Sequence, residues 1–308
     1  MKQQSFGITG LSITPLGFGA GPIGYLATDQ KEVEAIVNHL LDAGVNFIDT
    51  AAAYLGSEEA LGAAVSHRRD EFILVSKCGQ AFRDLPGEAW SKSVITATVD
   101  RSLQRLKTDH LDVMLLHTCD LEVLKQGEAL GALVQARAAG KIRFLGYSGD
   151  NEAAAFAAGL PEVSVIETSV NICDQANLDT VLPVTRDRNV GVIAKRPIAN
   201  AAWRPVEAFQ GIYQDYAQPY RERFAAMKLT PQDLGFAGEV NWSEIALRFT
   251  LSHPGVHTAI IGTTSAANAQ RNLDAVAKGP LAPEVVEKLH ATFKAAERSS
   301  KHRWPGLT

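Results

Sequence analysis

One unit returns eight times along this chain, and it limits the possible folds more than any other feature: a short apolar run followed by a helical stretch. The apolar runs fall at residues 16–19, 45–48, 72–77, 111–117, 142–148, 163–167, 191–195 and 258–261. In the first helical stretch Val33, Ile36, Val37, Leu40 and Leu41 recur at i, i+3, i+4, i+7 and i+8, so one stripe faces a core. Asp29 and Glu32 stand before it at capping-box spacing, and Gly44 closes it. Later helices carry Ile95, Val99, Leu103 and Leu106, then run over about 121–139, 153–158, 181–188 and 272–277, and end with Val285, Leu289, Phe293 and Ala296. Strands alternating with helices imply parallel pairing through crossovers. Eight such units without a reversal predict an α/β fold of the (β/α)8 TIM-barrel class. Residues 6–14 add an N-terminal β-hairpin, with Ile8, Leu11 and Ile13 as its apolar contacts. Two stretches exceed the repeat: a long loop after strand 7, at 198–240, and a C-terminal helix with a Trp304-Pro305 tail. No linker divides the halves, so residues 1–308 are expected to form one barrel domain.

Composition narrows the function. The 308 residues are 46% hydrophobic with a net charge of −4 of mixed sign, enough for a large core and without the basic field of a nucleic-acid or membrane-surface binder. No apolar stretch approaches the roughly 18 residues of a spanning helix, and residues 1–5 lead into no apolar run. Three cysteines, 78, 119 and 173, form no metal-ligand cluster and read as buried thiols in a reducing cytoplasm. No metal is expected. Gly19-Ala20-Gly21-Pro22-Ile23-Gly24 matches the dinucleotide fingerprint, but that motif needs a helix opening within it. The helix signal starts only at Asp29, so the segment is expected to be a turn close to a ligand at the barrel mouth.

The chemistry gathers at strand ends. Asp49, Lys77 and His117 close strands two, three and four, and Tyr54 lies just beyond strand two. In such barrels the carboxyl ends of the strands build the active face. A free phenol, with a pKa of about 10, is a poor acid near neutrality. A lysine beside it favours the phenolate, and a carboxylate keeps that lysine charged. With a histidine to polarise a carbonyl, the set suits proton donation to an oxygen gaining negative charge. No side chain supplies hydride, which implies a nicotinamide cofactor.

At these residues the chain resembles the aldo-keto reductases. The motifs are Gly44-Val45-Asn46-Phe47-Ile48-Asp49-Thr50-Ala51 with Tyr54, Ser76-Lys77, and Asp109-His110-Leu111-Asp112 leading to Leu115-Leu116-His117. Lys141-Ile142-Arg143-Phe144-Leu145-Gly146-Tyr147-Ser148 and Ile261-Gly262-Thr263-Thr264-Ser265 with Asn272-Leu273 also fit. The resemblance implies Tyr54 as general acid, Lys77 and Asp49 as the groups that tune it, and His117 as the group orienting the carbonyl. It implies NADP(H) across the barrel mouth, with NAD(H) as the alternative. The cofactor residues it implies are Gly19, Ala20, Asp49, Ser148, Glu167, Lys195, Arg196, Pro197, Ile198, Asn200, Ile261, Gly262, Thr263, Thr264, Ser265, Asn268, Arg271 and Asn272. Substrate is assigned to Tyr54, His117 and Trp203, although Trp203 equally suits the core of its own loop. Arg196 either meets an anionic substrate or braces that loop.

Two departures from the family pattern stand out. Glu167 occupies a usual Gln position and Lys195 a usual aromatic one, and the two are expected to form an ion pair. Gly262 and Asn268 stand where 2′-phosphate-selective members often have Lys and Arg, with Arg271 as a substitute. The function implied is reduction of an aldehyde or ketone, or the reverse reaction on a sugar or alcohol. The rival is a nicotinamide-binding regulatory or sensor protein with little turnover. The partner expected is a small carbonyl or sugar substrate, with no nucleic acid and no membrane; oligomeric state is left open.

Overall fold

A computed structural model of the chain describes residues 1–209, 211–237 and 241–307. Strands β1 (Gln4–Ser5) and β2 (Ser12–Ile13) form an antiparallel hairpin. Eight further strands close a parallel barrel: β3 (Leu16–Gly19), β4 (Phe47–Asp49), β5 (Ile73–Cys78), β6 (Leu111–His117), β7 (Ile142–Ser148), β8 (Val165–Ser169), β9 (Gly191–Lys195) and β10 (Thr258–Ile261). They neighbour one another in chain order, and β10 closes the ring by pairing with both β9 and β3.

Strand side chains alternate between two faces. Outward residues such as Ile48, Leu74, Met114, Leu116, Leu145 and Val192 join the large core beneath the helices, where the Val33–Leu41 stripe also packs. Inward residues form a separate core of Phe47, Val75, Val113, Leu115, Val165, Ile193 and Ile260. The hairpin completes that inner core from below with Phe6, Leu11 and Ile13, and the Phe6 ring meets Phe47 edge-on with centroids 5.7 Å apart. Phe6 therefore takes the place expected for Ile8, which is 61% exposed. Two residues further along each strand, the same inward row carries Asp49, Lys77, His117, Ser148, Glu167 and Lys195. The hydrophobic pattern that fills the barrel thus also fixes which side chains meet at its open end.

Several boundaries differ from the sequence expectation. Gly21–Tyr25 is a short helix with Pro22 at its start, where Pro is tolerated because its missing N–H has no intrahelical partner to lose. The glycine-rich segment is therefore more than a turn, yet the strand before it belongs to a closed barrel. The helix expected at 121–139 is two, Leu121–Gln126 and Glu128–Ala138, because Gly127 sits at φ +77° between them. The helix expected at 181–188 is Leu182–Asp187, and a further short helix that was not expected, Ala176–Thr180, precedes it.

The largest difference lies after β9. Within the stretch 198–240 the chain forms a helix, Tyr213–Met227, and beyond it Trp242–Leu251 is the return helix to β10. Residues 210 and 238–240 of that stretch, and residue 308, lie outside the described residues. Tyr220, Met227 and Leu234 pack with Ile245, Phe249, Leu289 and Phe293 into a second core. The extra chain is a helical cap with its own interior rather than an open loop.

Candidate active site

Lys77 is the centre of the barrel mouth. Its ammonium donates to both oxygens of Asp49, at 2.5 and 2.7 Å, and to the Thr50 carbonyl at 3.1 Å. A second carboxylate, Glu167, lies 3.2 Å from the same nitrogen. The side chains of Lys77, Asp49 and Glu167 are at most 2% exposed. Ion pairs this deep depend on one another, since losing one partner strands a buried charge. Burial pulls the Lys77 ammonium down, but Asp49 and then Glu167 outweigh it and hold its pKa above the usual lysine range. Burial and then the Glu167 charge push the Asp49 carboxyl well above the usual carboxylate range, against the pull of Lys77.

Tyr54 is carried by the turn between β4 and the helix Ser57–Val65, its amide donating to the Ala51 carbonyl. The Lys77 nitrogen sits 5.3 Å from the centroid of its ring. His117, from β6, meets that ring edge-on at 5.7 Å, and Tyr25 lies against it at 5.4 Å. Burial raises the Tyr54 phenol beyond its ordinary range, and the lowering by Lys77 is too small to reverse this. The sequence argument had Lys77 favouring the phenolate; here Asp49 and Glu167 screen its charge and the phenol keeps its proton. Burial, then Lys77, Lys195 and Arg196, holds His117 well below the usual imidazole range, so the ring is neutral. Its Nδ1 is buried without a hydrogen-bond partner among the described residues.

The expected Glu167–Lys195 ion pair is not formed. Strand register explains why: Glu167 stands opposite Ile193, while Lys195 stands opposite Ser169, one inward step higher. Glu167 goes to Lys77, and Lys195 reaches Asp150 at 3.1 Å. Asp150 also accepts from Thr168 Oγ1, the Ser169 amide and Asn177 Nδ2 at 2.7–2.8 Å. Sequence reasoning passed over this aspartate. Its position two residues beyond the end of β7 was the available signal.

The remaining expected residues divide into three places. Ser148 lies between His117 and Glu167 in the strand register, so these three form one row. Around the rim, β10 pairs with β3, which brings Gly262 onto the Gly19–Pro22 segment. A Cβ on Gly262 would come within 2.5 Å of the Pro22 ring and 2.6 Å of the Gly19 carbonyl oxygen. Beyond it Thr263 Oγ1 accepts from the Ser265 amide at 3.1 Å, and Ser265 Oγ caps the helix Ala266–Ala277 by accepting from the Asn268 amide. Arg271 donates to Asn268 Oδ1 from the exposed side of that helix.

The third place is the segment after β9. Arg196, Ala199, Asn200 and Ala201 all adopt positive φ, between 45° and 54°. Arg196 donates to the Leu307 carbonyl and the Tyr216 hydroxyl and lies 4.5 Å over the Tyr216 ring, which makes it a brace. Asn200 donates to the Tyr216 carbonyl at 3.0 Å. Trp203 stacks with Phe224 and Trp242, at 5.9 and 6.3 Å, within the cap. Cys78, Cys119 and Cys173 are all buried free thiols.

A nicotinamide dinucleotide fits this layout. His117 Nδ1, without a hydrogen-bond partner among the described residues, and Glu167, in ion-pair contact with Lys77, stand at the inner end, and a capped helix N-terminus stands on the rim beyond β10. No helix among the described residues is long and apolar enough to cross a membrane.

Comparison with known proteins supports the same assignment. The aldo/keto reductase family model matches residues 15–293. An aldo-keto reductase from Bacillus halodurans, solved in its holo form, superposes with a TM-score of 0.79 at 25% identity over 95% of this chain and 96% of that one. An uncharacterized oxidoreductase of Bacillus subtilis is 26% identical over 96% of this chain and 97% of its own length. L-galactose dehydrogenase of Arabidopsis thaliana is 26% identical over 90% of this chain and 88% of its own.

Proposed function

This chain belongs to the aldo/keto reductase family and is an NAD(P)H-dependent oxidoreductase of carbonyl compounds, and from that premise we propose that Tyr54 is its general acid. The observation that carries the reading is the buried Lys77, held by Asp49 beneath the Tyr54 ring, with Glu167 3.2 Å away and a neutral His117 alongside. When bound, the nicotinamide supplies or takes up hydride. Tyr54, protonated at rest, gives its proton to the carbonyl oxygen as negative charge develops there. Lys77 stabilises the phenolate left behind, and Asp49 keeps that ammonium charged and in place. His117, uncharged, orients the carbonyl by hydrogen bonding without competing for the proton. In the reverse direction Tyr54, in the phenolate form that Lys77 stabilises, takes the proton from an alcohol.

Ser148 and Glu167 would hold the nicotinamide end of the cofactor. Lys195, Arg196, Pro197, Ile198 and Asn200 would border its middle, with Gly19 and Ala20 across the mouth. Ile261 to Ser265, with Asn268, Arg271 and Asn272, would take the adenosine end. We favour NADP(H), because Arg271 presents a guanidinium from the rim helix beside Asn268, where a 2′-phosphate would need one. The substrate is a small aldehyde or ketone, or a sugar oxidised in reverse; likeness to an L-galactose dehydrogenase supports the sugar. The decisive experiment follows NADPH and NADH oxidation over a panel of aldehydes and sugars. Steady turnover that falls by at least about 100-fold in Tyr54→Phe, the scale of a lost general acid, is expected. Retained turnover in that variant overturns the assignment.

A further inference from the structure

We propose that Glu167 sets the site's preference between the two redox states of its cofactor. As a second carboxylate on Lys77, it gives the inner cluster one negative charge in excess when both acids are ionised, a state that favours the cationic oxidised nicotinamide over the neutral reduced one. This inference rests on the nicotinamide reading given above.

Glu167 is not needed to hold Lys77. An ammonium has three donors, and Lys77 already has three acceptors in the two Asp49 oxygens and the Thr50 carbonyl. Glu167 approaches that nitrogen through Oε2 at 3.2 Å, an ion-pair contact without hydrogen-bond geometry, and so adds charge rather than a fourth hydrogen bond. A neutral amide of the same shape would leave the Lys77–Asp49 pair intact, so the carboxylate contributes charge rather than support. Burial makes such a charge costly unless something offsets it. Lys77 offsets one of two carboxylates, and a cationic ring would offset the other.

The surrounding groups do not cancel the excess. His117 is held neutral and Tyr54 keeps its proton. Lys195 stands one inward step higher, on Asp150. Arg196 keeps its charge on the neutral Tyr216 hydroxyl and Leu307 carbonyl and makes no ion pair with Asp49 or Glu167 among the described residues. The cluster's remaining outlet is a proton on Asp49, whose carboxyl is raised by burial and by Glu167. Binding the oxidised ring would expel that proton, whereas binding the reduced ring would not.

The test measures dissociation constants for NADP+ and NADPH, and for NAD+ and NADH, on the full chain and on Glu167→Gln. Charges a few ångströms apart in a partly screened site change affinity by roughly ten- to a hundred-fold. The ratio of oxidised to reduced affinity is therefore expected to fall at least about tenfold in Glu167→Gln, with binding of the reduced form changed by less than about threefold. An unchanged ratio, or equal losses for both forms, overturns the proposal. Should Glu167→Gln fail to fold, the unmutated protein decides. Affinity for the oxidised form should rise with pH as Asp49 gives up its proton while that for the reduced form stays flat, and parallel curves overturn the proposal. If the unmutated protein binds neither nucleotide, the proposed function falls as well. If it binds both and Tyr54 remains essential while the ratio is insensitive to Glu167, only the present inference falls.

Discussion

Replacing Lys77 by Met is the most informative perturbation of this barrel, because it removes the one cation from between two buried carboxylates. Asp49 and Glu167 are 1% and 2% exposed, so water cannot take over the role of the ammonium. Breaking a buried pair by removing one partner costs about 3–5 kcal/mol. Here the penalty should reach the upper part of that range near neutral pH, since two acids lose one base. The cost also has a sign in pH. The Asp49 carboxyl is already raised in the folded state, by burial and then by Glu167. A group with a raised folded pKa contributes stability below its unfolded pKa and loses that contribution as pH climbs through the folded one. Without Lys77 the carboxyl rises further, so the variant should approach wild-type stability near pH 4–5 and fall away by about 1.4 kcal/mol per pH unit above that. Urea denaturation at several pH values, with the slope m checked for constancy, measures this directly. A loss under about 1 kcal/mol at neutral pH, or a loss independent of pH, would refute the account of the cluster as a buried charge network.

Three further outcomes are expected. Asp174, pushed up to about 7 by burial and then Asp150, accepts from the Leu307 amide and the Tyr220 hydroxyl. Stability should therefore decline from about pH 4 toward 7, and Asp174→Asn should flatten that slope by at most about 1.4 kcal/mol per pH unit in denaturation curves. Gly262→Ala would drive a methyl into Pro22 and the Gly19 carbonyl, so cofactor affinity should fall at least about tenfold in fluorescence titrations and the fold lose about 1–3 kcal/mol. Trp203→Ala should cost about 2–4 kcal/mol of stability while leaving the KM for a small aldehyde within about twofold, because Trp203 packs on Phe224 and Trp242; a large KM effect alone would restore it to the substrate wall.

Much of the site was legible because strand alternation is a strict period of two. Once Phe47, Val75, Leu115, Val165 and Ile193 point inward, Asp49, Lys77, His117, Glu167 and Lys195 must follow them two residues later. What alternation cannot supply is height. Glu167 and Lys195 both face the axis from adjacent strands, yet the stagger places them one step apart and sends each to a different partner. The cap was illegible for another reason. Tyr213, Ala217, Tyr220, Phe224 and Met227 recur at helical spacing, but two of the five are tyrosines and Pro219 lies among them, which reads as a break. Trp242, Ile245, Ala246 and Phe249 carry an ordinary helical signal just beyond the 198–240 stretch, at residues to which the sequence expectation assigns no element.

The hairpin that seats Phe6, Leu11 and Ile13 under the inner core has a consequence for traffic through the molecule. With the amino end of the barrel stoppered by apolar side chains, Lys77 and its two carboxylates face water from one direction only. Protons exchanging with Tyr54 and Asp49 must use the opening that admits substrate. Whatever occupies that opening also closes the proton route, so the protonation state present when the mouth is covered is the one in which the barrel must react.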